Sequence, residues 1–409
     1  MKEYISKFSK LDDIGRIARG KSKHRPRNDP VLYGGKYPFI QTGDVKHSHF
    51  YITGYSQTYN EKGLAQSRLW QPGTLCITIA ANIADTAILK IPACFPDSII
   101  GFIPHKKKAD THFVKYCLDT YKLQIQSISQ GTTQDNLSLE KLRSINFKIP
   151  PLHIQKKIAA VLSTYDDLIE NNNRRIAILE KMAEEIYREW FVRMRFPGHE
   201  KVKFHKGVPE GWEVEKVGNF INLIMGQSPK SEFYNTKGEG LPFNQGVGTY
   251  GYRFPKKQTF CSVNGRTAKK GDILFSVRAP VGRLNVADCK MIIGRGLSSI
   301  NHKNGYNSYL YYMLKCYFSN EDIIGNGAIF NSVGKDELKK LEIIYPEESL
   351  IKQYNHIAVG LDLKIENLLN SIDLLVKSRD LLLSRLLFGK LSVENLDIKF
   401  PPGMEETDA

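Results

Sequence analysis

One stretch limits what this chain can become. After Pro150-Pro151 and the opening turns to Ile158, some three dozen helix-favouring residues run without a glycine or proline until Phe196-Pro197-Gly198. Proline is tolerated at or before the first turn of a helix, and a proline-glycine pair ends one. Within the run, Ile154, Ile158, Val161, Tyr165, Leu168, Ile176, Leu179, Met182, Ile186 and Trp190 recur mostly at steps of three and four, which gathers them on one face. At 1.5 Å per residue, about 40 residues make a rod of roughly 60 Å. That is too long for an ordinary globular helix and long enough to space two domains. Asn171, Asn172 and Asn173 interrupt the stripe, so a plain heptad zipper is not expected.

A repeat organises the rest. Gly20-Lys21-Ser22 has a counterpart in Gly226-Gln227-Ser228, and Tyr37-Pro38-Phe39-Ile40-Gln41 in Leu241-Pro242-Phe243-Asn244-Gln245. Gly73 before an Ile/Thr run matches Gly271 before Ile273-Leu274-Phe275-Ser276-Val277. Gly131, Leu142 and Pro150 stand 196 residues before Gly327, Leu338 and Pro346, and the same offset carries Ile169-Glu170-Asn171 onto Ile365-Glu366-Asn367. A second long helix is therefore expected from about Glu347 to Phe388, ended by Gly389. Its stripe is Ile351, Tyr354, Ile357, Leu361, Ile365, Leu368, Leu369, Ile372, Leu375, Leu382 and Leu386.

The expected organisation is α+β: a first mixed α/β domain over residues 1–150, a central helix over 151–197, a second domain over 198–345, a second helix over 346–390 and an acidic tail over 391–409. In the first domain, Tyr37 to Gln41, Gly73 to Ile79 and Ile99 to Ile103 predict short strands, and Thr111 to Ser127 a helix. A loop at 131–136 leads to a helical turn from Leu137 to Leu142 and a strand from Ile145 to Ile149. Two apolar stripes in one chain most simply bury each other. Each follows its domain in the same sense, so an antiparallel coiled-coil-like pair would set the domains at opposite ends with an internal pseudo-two-fold.

Charge narrows the partners. The net charge is +15, with +10 in residues 1–150 and +8 in 198–345, against +1 between them and −4 after them. Basicity lies in the two domains and not on an amphipathic helix, which favours a polyanion over a membrane surface. No basic and apolar leader opens the sequence and no run of about 18 apolar residues occurs; a cytoplasmic protein is expected. The cysteines Cys76, Cys94, Cys117, Cys261, Cys289 and Cys316 form no CxxC pair and fit buried free thiols, and His47-x-His49 lacks further ligands nearby.

Two phosphate-loop spellings fail on context. Gly15 to Ser22 has the letters of a P-loop, but Lys23-His24-Arg25-Pro26-Arg27-Asn28-Asp29-Pro30 follows where a helix must start, and the repeat copy replaces Lys21 with Gln227. Gly246-Val247-Gly248-Thr249-Tyr250-Gly251 spells GxGxxG, yet runs into Tyr252-Arg253-Phe254-Pro255. No amino-methylation motif and no paired-carboxylate nuclease pattern stands out, so no catalytic residue, bound cofactor or metal site is expected in this chain.

What remains suits DNA. Lys21, Lys23, Arg25 and Arg27 flank one repeat landmark, where such residues pair phosphates or read guanine edges. Gln41 and Gln245 stand at equivalent positions, and an amide can make the two-bond contact that adenine offers. Thr42 and Lys46 extend the first set. Gln227, Lys230, Tyr250, Arg253, Arg278, Arg283 and Arg295, with Tyr252 and Arg266, form the second reservoir. Any one of them serves equally well as ordinary surface; the aggregate carries the reading.

These residues lead to a resemblance. Ile149-Pro150-Pro151-Leu152-His153-Ile154-Gln155-Lys156-Lys157-Ile158-Ala159 opening a helix, Tyr165-Asp166-Asp167-Leu168-Ile169-Glu170-Asn171-Asn172 within it, Glu189-Trp190-Phe191-Val192 closing it, and Gly207-Val208-Pro209-Glu210-Gly211-Trp212 after it closely resemble the specificity (S) subunit of type I restriction-modification systems. The likeness spans essentially the whole chain. Tyr345-Pro346-Glu347-Glu348-Ser349-Leu350 echoes the first copy only loosely, which leaves the start of the second helix open.

The resemblance implies a non-catalytic subunit with two target-recognition domains. Each would bind one half of a split, asymmetric site in double-stranded DNA, with the helices as spacer and docking surface. It implies two modification (methyltransferase) subunits using S-adenosylmethionine and restriction (endonuclease and translocase) subunits using ATP and Mg²⁺, none of those cofactors being bound by this chain. Two other readings have distinct signatures. A stand-alone DNA-modifying enzyme would turn over without a partner, and a pure protein scaffold would show no salt-dependent DNA affinity in its complex.

Overall fold

The computed structural model describes residues 6–48, 50–129, 137–319 and 332–401. The 131–136 loop, the Gly131 and Gly327 landmarks and His49 lie outside the described residues. The chain divides into two compact units, residues 1–172 with 370–409 and residues 173–369. The division therefore falls inside both long helices and not at their ends.

In the first unit a five-stranded sheet has the order Gly15–Arg19, Ile99–Pro104, Leu75–Thr78, Thr86–Leu89, Tyr51–Ile52, antiparallel except for the last pair. In the second unit a four-stranded antiparallel sheet repeats that order with Ile221–Met225, Leu297–His302, Ile273–Ser276 and Leu284–Val286. Strands Leu75–Thr78 and Ile273–Ser276 are buried throughout. Both follow a glycine in the left-handed region, Gly73 at φ +85° and Gly271 at φ +86°. There a side chain is strained, which explains the repeated glycine. Their amides close the same turn, Gly73 N donating to Leu89 O and Gly271 N to Ala287 O, each at 2.8 Å.

The layer beside each sheet is also duplicated. Helix Thr111–Thr120, capped by the Asp110 carboxylate on Phe113 N at 2.9 Å, corresponds to Asn307–Ser319. The expected single helix from Thr111 is broken at Tyr121, and a second helix starts at Lys122. Leu139–Ser144 and Lys335–Lys340 correspond as well. A two-stranded ribbon leads into each long helix: Lys7–Ser9 with Phe147–Ile149, and Glu213–Lys216 with Glu342–Tyr345. The six cysteines are free, Cys289 half-buried and the rest buried.

The central helix runs from Leu152 to Tyr187 and continues as a π-helical turn to Val192; the C-terminal helix runs from Glu348 to Leu387. The asparagines at 171–173 break neither the helix nor its burial, since Asn172 is buried. The central helix buries Ala159, Leu162, Asp166, Ile169, Asn172, Ile176, Ala183 and Tyr187, while Leu168 and Met182 from the expected stripe are exposed. The other eight stripe residues are buried or half-buried, so the face is the expected one, but its core also includes small and polar side chains that selecting large apolar residues passes over. The C-terminal helix keeps a steady three-four alternation through Ile351, Tyr354, Ala358, Leu361, Ile365, Leu368, Ile372, Leu375, Arg379, Leu382 and Leu386. That is a heptad pattern, with Ile357 left outside and Arg379 taking a core position.

Within each unit the helix segments run antiparallel. In the first unit Asn172 Nδ2 reaches Ser371 Oγ at 3.3 Å, and Arg379 reaches Asp166 at 2.5 Å. Farther along, Lys157 Nζ donates to the carbonyls of Glu394 and Leu396 at 2.8 and 2.9 Å. The segment after the helix therefore docks: Val393 is buried in the same core as Ile154, Ile158 and Leu386. In the second unit Tyr354 Oη donates to Ala183 O at 2.9 Å, and Tyr187, Phe191, Leu350, Ile351 and Ala358 share one core. Polar pairs such as Asp166–Arg379 and Asn172–Ser371 contribute little net stability next to apolar layers.

Candidate nucleic-acid interface

In each unit several of the candidate residues lie against one turn before a sheet strand. In the second unit that turn is Gly294–Leu297. Gln227 N donates to Ile293 O at 2.9 Å, Gly294 N to Asn244 O at 2.8 Å, Gly296 N to Gln245 O at 3.1 Å and Val277 N to Gly296 O at 3.0 Å. Arg295 N donates to Ser228 Oγ at 3.1 Å, and Arg283 shares two hydrogen bonds with Ser276. Backbone groups and two serine hydroxyls thus gather Gln227, Gln245, Arg278, Arg283 and Arg295, and all five side chains are exposed. Lys230 is exposed nearby, with only a 3.8 Å approach to Glu232.

The first unit uses the turn Cys94–Ile99 in the same way. Lys21 N donates to Phe95 O at 3.0 Å, Ile40 N to Cys94 O at 2.8 Å and Ile79 N to Ser98 O at 3.0 Å. Lys21, Gln41 and Arg27 stand around it, Arg27 paired with Asp97 at 2.8 Å. The glycine before each basic or amide residue is forced by close approach. A Cβ on Gly20 would lie 2.3 Å from Pro96 O, and one on Gly226 would lie 2.2 Å from Gly294 O. Neither can be accommodated.

The loop after Gly20 is pinned through its backbone. Ser67 Oγ donates to Lys21 O at 2.7 Å, and Gln66 Oε1 accepts from Lys23 N at 2.6 Å and His24 N at 3.1 Å. That leaves the Lys21 and Lys23 side chains exposed. Arg25 folds back on the carbonyls of Ser22 and His24. Asp29, which caps Val31 N and meets His24, has its carboxyl held below the usual range by those two hydrogen bonds. Gln41 Nε2 donates to Gln57 Oε1 at 2.6 Å; Thr42 is half-buried and Lys46 exposed on the short helix Thr42–His47. No helix follows the P-loop spelling: Gly15–Arg19 is a strand, and the next regular element is a single turn at Pro30–Leu32.

Two expected contact residues are not on this surface. Arg253 is only 3% exposed. Its guanidinium meets Asp362 at 2.6 Å and Glu180 at 3.7 Å, and stacks 3.6 Å from the centre of the Tyr311 ring. Burial works against its charge, but Tyr311, Asp362, Tyr312 and Glu180 together hold its pKa above the ordinary arginine value. Tyr250 is half-buried, its hydroxyl donates to Leu274 O at 3.0 Å, and burial pushes its pKa up. Sequence reasoning had no signal for the burial of Arg253, because its carboxylate partners stand 73 and 109 positions away. It also missed Asp97, Gln57 and Gln66. An offset of 198, which the turns share, would have placed Asp97 over Arg295.

Fold and site together define a two-module binding protein, in which one loop scaffold occurs twice with different side chains around it. Among the described residues no group of three or more His, Cys, Asp or Glu could hold a metal, and no helix is long and apolar enough to cross a membrane. The chain belongs to the type I restriction modification DNA specificity domain family, whose model matches residues 6–181 and again 209–359. It is similar to two proteins of Methanocaldococcus jannaschii. One bears the name "Putative type I restriction enzyme MjaX specificity subunit", at 29% identity over 94% of this chain and 93% of that one. The other is the type I restriction enzyme MjaIX specificity subunit, at 27% identity over 95% and 94%. The crystal structure of a type I restriction-modification system S subunit from M. genitalium shares the fold, with a TM-score of 0.61 over 94% of this chain and 96% of that one at 17% identity.

Proposed function

We propose that this specificity subunit reads a bipartite DNA site, one half with each target-recognition domain, and that the paired helices set the spacing between the halves and dock two modification (methyltransferase) subunits. The observation that carries the reading is the repeated turn: Cys94–Ile99 and Gly294–Leu297 hold equivalent backbone bonds, yet present Lys21, Arg27, Asp97 and Gln41 in one unit and Gln227, Arg278, Arg283, Arg295 and Gln245 in the other. Equal scaffolds with unequal side chains imply two different half-sites. Lys23, Arg25 and Lys46, with Lys230, supply phosphate contacts that position without reading sequence. Leu168, Ile178 and Met182 on the central helix and Leu363, Leu374 and Leu381 on the C-terminal helix are exposed large apolar residues, which suits partner docking.

Restriction subunits join the same assembly, and S-adenosylmethionine, ATP and Mg²⁺ bind to the partners and not to this chain. The test is single-molecule methylome sequencing of cells carrying this chain with its modification partner. The expected result is methylation at an asymmetric split motif; a continuous motif, or none, rejects the reading. Inserting seven residues after Asn172 together with seven before Ser371 should lengthen the gap between the halves, and an unchanged gap rejects the ruler role.

A further inference from the structure

Asp166 and Asp362 occupy the same place in the repeat, 196 residues apart, one on each long helix. Both accept a hydrogen bond from the equivalent tyrosine of the adjoining domain helix, Tyr116 to Asp166 and Tyr312 to Asp362. Their cations differ in origin. Asp166 takes Arg379 from the other long helix. Asp362 takes Arg253, which belongs to the loop beginning one residue after Gln245.

That loop, residues 246–255, is closed on itself by Gly251 N to Phe254 O at 3.0 Å and Lys256 N to Thr249 O at 2.7 Å. It rests on a sheet strand through Val286 N to Arg253 O at 2.9 Å and Asn285 Nδ2 to Gly251 O at 3.2 Å. Its only charged anchor among the described residues is Arg253. Tyr252 adds a hydrogen bond to Glu180 at 3.1 Å, and Ser308 Oγ donates to Asp362 at 2.6 Å. In the first unit, among the described residues, no cation of the corresponding segment pairs with the aspartate: Phe50 packs on His112 and Tyr116, Tyr51 Oη bonds His112 Nε2 at 3.0 Å, and Lys115 and Lys90 approach the Phe50 and Tyr51 rings from outside the segment.

We propose that Arg253 is a positioning residue for sequence readout, tying the loop that adjoins Gln245 to both Glu180 of the central helix and Asp362 of the C-terminal helix, so that discrimination at the second half-site depends on this ion pair. The equivalent Asp166 takes no cation from the described residues of the corresponding segment of the first unit: Arg379 comes from the other long helix, and Tyr116 meets that segment only by packing on Phe50. The inference rests on the bipartite reading above and deepens it. A guanidinium can meet two carboxylates and stack on a ring at once, whereas an ammonium is a single compact charge. Arg253→Lys therefore loosens the loop without removing its charge, and Asp362→Asn keeps the shape of the acceptor.

The experiment uses the full chain with its modification partner and duplexes carrying the methylated motif, intact or with one base pair changed in either half. The wild-type complex must first discriminate at both halves; if it does not, the bipartite reading falls, and this proposal with it. Near-ultraviolet circular dichroism confirms that the variants fold. For R253K and D362N the expected result is a loss of at least about fivefold in discrimination at the second half only, the scale of one lost base contact, with discrimination at the first half unchanged. Folded variants that retain full discrimination, or that lose it equally at both halves, overturn the proposal. If R253K fails to fold, D362N alone decides between the same two outcomes.

Discussion

The two compact units share a strand order, a glycine-pinned turn and a tyrosine-to-aspartate bond, yet they anchor the segments that follow Gln41 and Gln245 differently. The first unit uses Phe50, Tyr51 and His112; the second uses Arg253 with Tyr311, Asp362 and Glu180. Duplication preserved what the backbone requires, since Gly20 and Gly226 admit no side chain. It left free what side chains do around that backbone. The carboxylate stands at the same place in both units, and its cation comes from a different element in each.

The largest effect expected from this contrast is at Asp362. Asp362→Ala leaves Arg253 buried with only the longer approach to Glu180, and should destabilise the second unit by about 3 kcal/mol. Hydrogen exchange should show faster opening of the Asn307–Ser319 helix while Thr111–Thr120 is unchanged; equal loss of protection in both units would remove the asymmetry.

Acid should separate the units next. Burial, opposed in part by Glu348, holds the pKa of His302 down at about 4, and Asn304 N donates to its Nδ1. A histidine whose folded pKa is depressed binds its proton first in the unfolded chain. Stability is therefore intact above the ordinary value of 6.5 and falls as pH drops from 6.5 towards 4. The first unit has Pro104 at the corresponding strand position. Loss of protection in this window should be confined to the second unit, and His302→Gln should flatten its pH dependence.

Smaller effects concern the shared tyrosines. Tyr116→Phe should cost about 2 kcal/mol, because Asp166 then keeps only Arg379, and Tyr312→Phe about 1 kcal/mol, because Asp362 retains Arg253 and Ser308. Urea unfolding of the two variants measures the difference; a reversed order would mean that the second network is the more brittle. The smallest change is at the turn itself. Lys21→Ala should reduce the salt dependence of DNA binding by about 0.9 in log–log slope, and Gln227→Ala at the equivalent position should leave it unchanged.

Several elements were legible in the chain because their causes are local. A run free of glycine and proline makes a long helix, and the structure places its ordered start at Leu152 and that of its mate at Glu348. Gly73 and Gly271 mark turns that need a positive φ. The stripes were legible only in part. Ala183 and Asp166 are core positions that no hydrophobicity pattern selects, and Ile357 is apolar but outside the seam. The tail offered only acidic and proline-rich composition, yet Val393 is buried in the first unit.

By itself, then, the sequence determined two long helices, a duplicated α/β module and two basic surfaces, since these follow from period, punctuation and charge along the chain. Only the tertiary structure decided that each compact unit takes part of both helices, that some of the candidate residues of each unit lie against one turn, and that Arg253 is an anchor inside the second unit. The reason is that burial and ion pairing depend on residues far apart in sequence. An arginine in a loop has the same local signature whether it faces a phosphate or an aspartate 109 positions later.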